Sequence, residues 1–387
     1  MHVLLVEPDY YTRYPPLGLL KLSTYHKQKG DTTELVRGKV IPKKKPDLIY
    51  VTSLFTYAWK PVHEAVQFYK KQFPKTKVIL GGIYASLKPN HAEKSGADEI
   101  HEGLFPKAEK LMPDYELVPE WDGSIIFSSR GCIRKCPYCA VPKLEGDIRT
   151  NVKSIKPFIY PKHTKVILWD NNLLGSKNCG KILDELKEIN LKIDFNQGLD
   201  ARLITNKTAS KLSQLKFDLI RFAYDHKGMR KAVERAIKIL SAHGIHKRKI
   251  IFYTMFNYKD DPEDFYRRVR DLLEWGVVSY PMRFQPLDTL KKNSYVSPKW
   301  TKEELEIVAT ARRVLGYAGA FPPYEGLVKK IQSAKDFHDA FALRPIDWRK
   351  KIQLSPSLRL NEKRRITARY SGGLDWREII KNQIIPK

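Results

Sequence analysis

Three cysteines fall within eight residues: Cys132, Cys136 and Cys139, in the run Arg130-Gly131-Cys132-Ile133-Arg134-Lys135-Cys136-Pro137-Tyr138-Cys139. Three thiolates can hold three irons of a [4Fe–4S] cluster and leave the fourth iron open to a small molecule. A cluster that only passes electrons usually takes a fourth cysteine, whereas one with an open iron is built for a reaction. Zinc is the competing metal, but structural zinc sites pair their ligands, and no Cys/His pair follows this run. A disulfide framework does not fit either, since Cys179 is the only other cysteine.

Such a loop needs a frame. Residues 124–129 read as an apolar strand that delivers the cysteines, and strand and helix patterns alternate after them. Strands are expected at 166–169, 192–196, 219–223, 249–255 and 279–285, with helices at 181–189, 208–215, 229–242 and 262–275. Six β units in a row imply a barrel-like parallel series with its chemistry at the carboxyl ends of the strands. Residues 1–122 alternate too. Strands are expected at 1–7, 47–53, 77–80 and 98–101, and helices at 16–29, closed by Gly30, and at 63–73. That pattern predicts a doubly wound sheet. Residues 109–122, with Pro113, Pro119 and Asp122-Gly123, read as a linker.

From residue 300 the chain is basic and partly helical. A helix starts at Thr301 with acids in its first turn, and Pro322-Pro323 breaks the pattern. Basic and aromatic runs follow, with Trp348, Arg349, Lys350 and Lys351, then Lys363, Arg364 and Arg365.

A length of 387 residues with 42% hydrophobic residues suggests two or three globular domains. The net charge of +27, from 70 Lys+Arg against 43 Asp+Glu, favours an anionic partner such as nucleic acid. The surplus is spread along the chain, so a solvated lysine-rich surface is the competing explanation. No apolar run is long enough for a membrane span, and the first residues lack the layout of a signal peptide. Four cysteines, three of them in one loop, fit a reducing cytoplasm.

The cysteine spacing, with aromatic Tyr138 just before the last cysteine, closely resembles that of the radical S-adenosylmethionine (SAM) family. The first 110 residues resemble the cobalamin-binding-like domain that precedes the radical core in one branch of that family. This second resemblance rests on Tyr14-Pro15-Pro16-Leu17-Gly18-Leu19-Leu20-Lys21-Leu22, on Gly81-Gly82-Ile83-Tyr84-Ala85 and on the stretch from Gly96 to Gly103. The Asp-x-His-x-x-Gly signature of B12-dependent mutases is missing, so cobalamin stays open. The implied fold is α/β: a Rossmann-like doubly wound domain (1–122), a partial (β/α)6 radical SAM barrel (123–299) and a small basic, partly helical C-terminal region (300–387).

The resemblance also implies roles. Cys132, Cys136 and Cys139 would bind the cluster, whose open iron chelates SAM. Reductive cleavage then gives methionine and a 5′-deoxyadenosyl radical. Asp170 and Asn171, after the second barrel strand, are candidates to accept from the SAM amino group. Gln197, Asp200 and Arg202 fit the ribose and carboxylate, since Arg presents a planar fork to a carboxylate. Asp225 fits the ribose hydroxyls, and the strand end at Asn257 fits the adenine. Arg283 and Gln285 are candidates for substrate recognition, provided the register of the last strand turns them inward. Cys179, just before a helix, could donate a hydrogen atom or carry a covalent intermediate, with simple packing as the alternative. His226 reads as a structural or solvated histidine.

The expected protein is a cytoplasmic radical SAM enzyme with an electron donor such as flavodoxin or ferredoxin. With cobalamin, the reaction would be methyl transfer to an unactivated carbon, and charge tips the substrate toward a nucleic acid or nucleotide. Without cobalamin, it would be a rearrangement or insertion on a small molecule or peptide. The reading from another class is a cluster-bearing nucleic-acid sensor, against which the βα series argues.

Overall fold

The computed structural model describes residues 1–343. The basic runs at 348–351 and 363–365 lie outside the described residues. Five short strands build the first sheet: β1 (His2–Glu7), β2 (Thr32–Arg37), β3 (Leu48–Val51), β4 (Lys77–Leu80) and β5 (Glu99–Ile100). All are parallel, in the order β2-β1-β3-β4-β5. Side chains alternate along β1. Val3 and Leu5 pack with Leu19 of the Leu17–Lys27 helix, while Leu4 and Val6 pack with Val62, Ala65, Val66 and Tyr69 of the Trp59–Gln72 helix. With helices on both faces, β1 can be apolar throughout, which explains its Val-Leu-Leu-Val run. The strand order reverses between β1 and β3, the switch point at which such sheets bind ligands.

The sequence reading missed β2. In Thr32-Thr33-Glu34-Leu35-Val36-Arg37 only Val36 is buried, because β2 lies at the sheet edge. An edge strand keeps polar side chains and so gives little apolar signal.

Six further parallel strands form an open arc. Ser124–Ile126 is β6. A two-residue antiparallel pair, β7 (Ser129–Arg130) and β8 (Arg149–Thr150), flanks the cysteine loop. Then come β9 (Lys165–Leu168), β10 (Lys192–Phe195), β11 (Ile220–Ala223), β12 (Ile250–Phe256) and β13 (Val278–Arg283). Strands pair as β10-β9-β6 and β11-β12-β13. The two sets are joined where Ile193 N donates to Lys216 O and Leu199 N to Arg221 O, each at 2.7 Å. All six parallel strands fall where the hydrophobic pattern predicts them. The intervening helices bury an apolar stripe against the arc: Ile182, Leu183 and Leu186 from one, Val233, Ala236, Ile237 and Leu240 from another.

The Lys302–Val314 helix starts as expected, with Thr301 and Glu304 forming a reciprocal capping box. It does not stand apart. Leu305 and Val308 share one core with Phe265 and Val269 of the Pro262–Glu274 helix and with Phe337 and Phe341.

Both outer strands of the arc are partly capped. On β13, Ser279 pairs antiparallel with Phe321, with bonds of 3.1 and 2.7 Å. On β6, Ile125 N donates to the Tyr115 hydroxyl at 2.7 Å.

The carboxyl-end loop of β3 meets the carboxyl-end loop of β13. Thr56 Oγ1 donates to Thr289 O at 2.7 Å and Trp59 Nε1 to Leu290 O at 3.2 Å. Asn196, after β10, donates to the Tyr14 hydroxyl. Among the described residues no helix is long and apolar enough to cross a membrane.

Candidate functional site

The cysteine loop leaves β7 through Gly131, whose φ of +75° lies in the left-handed region. A Cβ there would sit 2.2 Å from Asp147 O, so only glycine fits this bend. Behind it, Asp170 fastens the strand end. Its carboxylate accepts from the Ser128 N–H (3.1 Å) and hydroxyl (2.5 Å), and from the Ser129 N–H and hydroxyl (both 2.6 Å). Burial raises the Asp170 carboxyl above its usual range, and the four donors oppose that rise. Asn171 Oδ1 accepts from the Gly131 N–H at 3.0 Å.

All four cysteines are free thiols. Cys132 Sγ accepts from the Arg134 N–H at 3.3 Å and from Asn172 Nδ2 at 3.4 Å, and Cys139 Sγ from the Val141 N–H at 3.5 Å. Burial pushes the Cys139 thiol up, and the Val141 N–H opposes it. Among the described residues no three His, Cys, Asp or Glu side chains converge tightly enough to hold a single metal ion. A four-iron cluster asks for wider spacing, because each thiolate takes a separate iron. Three free thiols on one loop, with N–H groups already directed at two of the sulfurs, suit a cluster better than a single zinc ion.

Residues past the other strands close around this loop. Asp200, after β10, collects Arg202 through Nε (2.6 Å) and Nη2 (3.0 Å), Arg134 Nε from the cysteine loop (3.1 Å) and Asn172 Nδ2 (3.5 Å). Burial alone would raise the Asp200 carboxyl, but the arginines outweigh it and hold it below its usual value. After β11, Asp225 accepts from the Tyr138 hydroxyl at 2.8 Å. Burial raises the Asp225 carboxyl, while the Tyr138 bond and nearby cations oppose the rise. The Tyr138 ring meets Tyr258 edge-on at 5.4 Å, and Tyr258 meets Phe284 at 4.6 Å, so an aromatic wall links the cysteine loop to the ends of β12 and β13.

The expected site residues therefore divide. Cys132, Cys136, Cys139, Tyr138, Asp200, Arg202 and Asp225 stand on the cysteine loop or bond around it. Asp170 and Asn171 are engaged in holding the chain before the cysteines, Asp170 through Ser128 and Ser129 and Asn171 through the Gly131 N–H. Asn257 is fully buried and bonds Phe284 O, Tyr295 O and the Ser297 N–H, so it ties loops together and is closed to an adenine. Arg283 and Gln285 brace the loop after β13: Arg283 Nη2 donates to Asn293 O and Tyr295 O, and Gln285 exchanges bonds with Asn293. Gln197 is exposed and bonds its neighbour Asn196. Cys179 opens the Cys179–Ile189 helix, 7% exposed among Ile182, Leu183 and Val152, with burial pushing its thiol up to about 12. A thiol held so far from its anion is a poor nucleophile, and among these neighbours it packs as a small apolar side chain. His226 is exposed.

Sequence reasoning missed Arg134 and Asn172. Arg134 lies between the first two cysteines, and Asn172 follows two residues that had drawn attention as ligands. Only the fold shows that both reach Asp200.

No family model matches the chain, and no curated protein matches it. Among solved structures, it is similar to the radical SAM methyltransferase TsrM from Kitasatospora setae, determined with cobalamin and a [4Fe–4S] cluster bound. The TM-score is 0.55 at 13% identity, over 82% of this chain and 76% of that one. It also aligns with coproporphyrinogen III oxidase (HemN) from Escherichia coli, a radical SAM enzyme, at a TM-score of 0.36 and 13% identity. That alignment covers 54% of this chain and 57% of the other. The likeness to TsrM is one of fold.

Proposed function

We propose that this chain is a radical SAM enzyme. The observation that carries the reading is the placement of a three-cysteine loop at the carboxyl ends of six parallel strands, ringed by Arg134, Asp200, Arg202 and Asp225. We assign Cys132, Cys136 and Cys139 as the cluster ligands. Held by these three thiolates, a reduced [4Fe–4S] cluster would supply the electron for reductive cleavage of SAM.

The chain's own residues do the rest. Arg134 and Arg202 keep N–H groups beyond those given to Asp200, and these are the donors for the SAM carboxylate. Tyr138 holds Asp225 in place for the ribose. The wall of Tyr138, Tyr258 and Phe284 offers an apolar surface for the adenine, taking the part expected of Asn257.

The first sheet supports a corrinoid reading. Its switch point and strand ends meet the mouth of the arc, and Gly82 after β4 has φ +101°, with room for no side chain because a Cβ would stand 2.2 Å from Ser53 O. Phe55 and Ile83, past strands of that sheet, and Ile133 on the cysteine loop are exposed apolar side chains. The cobalamin-bound TsrM shares this fold. The reaction supported best is thus a cobalamin-dependent methylation.

Anaerobic reconstitution with iron, sulfide, dithionite and SAM tests the class. We expect 5′-deoxyadenosine or S-adenosylhomocysteine above a Cys136→Ala control, and equal amounts from both proteins would sink the reading. Chain purified from cobalamin-supplied cells should carry corrinoid absorbance, and its absence would count against methylation.

A further inference from the structure

Asn172 is 4% exposed, and both ends of its side-chain amide are engaged. Its Oδ1 accepts from the Gly175 N–H at 3.2 Å, which settles which end of the amide is oxygen. Nδ2 therefore has two N–H groups to give, and two acceptors are in reach: Cys132 Sγ at 3.4 Å and Asp200 Oδ2 at 3.5 Å. Asp200 is the carboxylate that gathers Arg134 and Arg202. One buried amide thus ties the sulfur of the first cysteine to the acid that gathers both arginines.

The sulfurs are not treated alike. Cys132 Sγ receives two N–H groups, from Arg134 and Asn172, and Cys139 receives one. An N–H donated to a ligand sulfur favours the more negative, reduced state of a cluster and so raises its reduction potential. Backbone donors cannot be removed by a side-chain change. The Asn172 donor can, and it comes from a side chain that water does not reach.

We propose that Asn172 is a positioning residue that sets the reduction potential of the cluster through its hydrogen bond to Cys132 Sγ. The inference rests on the cluster reading above. It assigns a role to a residue that touches neither substrate nor iron.

The test uses the full chain reconstituted anaerobically as wild type, Asn172→Ala and Asn172→Asp. Iron per chain is measured, and the midpoint potential is read by titration followed by electron paramagnetic resonance in the absence of SAM. Asn172→Ala removes both donors. Asn172→Asp keeps the acceptor for Gly175 but sets a carboxylate beside the sulfur. The expected result is equal iron in all three, with midpoints falling in the order wild type, Ala, Asp. Asn196→Asp, an amide that bonds Tyr14 and no sulfur, should keep the wild-type midpoint. If only the Asp variant loses iron, the Ala variant decides. Equal midpoints for wild type and Asn172→Ala at full iron would overturn the inference. Loss of iron from both variants would overturn it too, making Asn172 a prop of the loop. A wild-type chain that binds no iron would overturn the cluster reading itself, and this inference with it.

Discussion

Asp200 shows how one carboxylate organises a site. Its side chain is 5% exposed and meets two guanidinium groups from different parts of the chain. Asp200→Asn keeps the shape but cannot balance both arginines, and a hydrogen bond to a charged group is worth about 1.5–3 kcal/mol. The expected outcome is a KM for SAM raised about ten- to a hundredfold with kcat little changed, read in steady-state assays. Acid unfolding offers a second measurement. The folded carboxyl is held below its usual value, so its stability increment is complete above the unfolded value of about 3.9. The increment fades as pH falls through the lower folded value. The wild-type and Asp200→Asn stability curves should therefore converge at the acid end. The cysteine loop was legible from residue type and spacing, whereas Arg202 and Asp225 came only from the family resemblance, and the structure sets them beside Asp200 and Tyr138. The bonds of Asp170 and Asn257 were not legible, because which acceptors are engaged depends on neighbours about 40 residues away, Ser128 and Ser129 in one case and Ser297 in the other. No local pattern encodes that.

Among the elements, the loop from Gly131 to Cys139 is defined by its backbone. Gly131→Ala meets both a left-handed φ and the Asp147 carbonyl, a strain of about 1–3 kcal/mol for the conformation alone. The expected outcome is a sharp fall in iron retained after desalting, with the far-ultraviolet circular dichroism unchanged. Loss of the whole fold would mean instead that the loop is part of the core. The six arc strands were readable because each buries an apolar run against helices whose own stripes repeat at 3.6 residues. β2 was not, because an edge strand can stay half polar, and β7 and β8 were not, because two residues carry no period.

For the whole molecule, the surplus of 27 positive charges invites a test of its meaning. If the surplus serves nucleic acid, binding of a short RNA measured by fluorescence anisotropy should weaken steeply as salt rises from 50 to 200 mM, by roughly a thousandfold for six or more phosphate contacts. A weak, shallow dependence would leave the lysines as surface. The first sheet and the arc touch at their mouths, where Thr56 and Trp59 bond the loop after β13.

An arc of six parallel strands that never closes leaves two rims of unpaired backbone groups, which are templates for adding a foreign strand. Here the rim at β6 is engaged by the Tyr115 hydroxyl. The rim at β13 carries Pro281, which has no N–H to offer, and is partly paired by Phe321. Among the described residues the arc can thus stay open on one side while giving neighbouring copies little to polymerise upon.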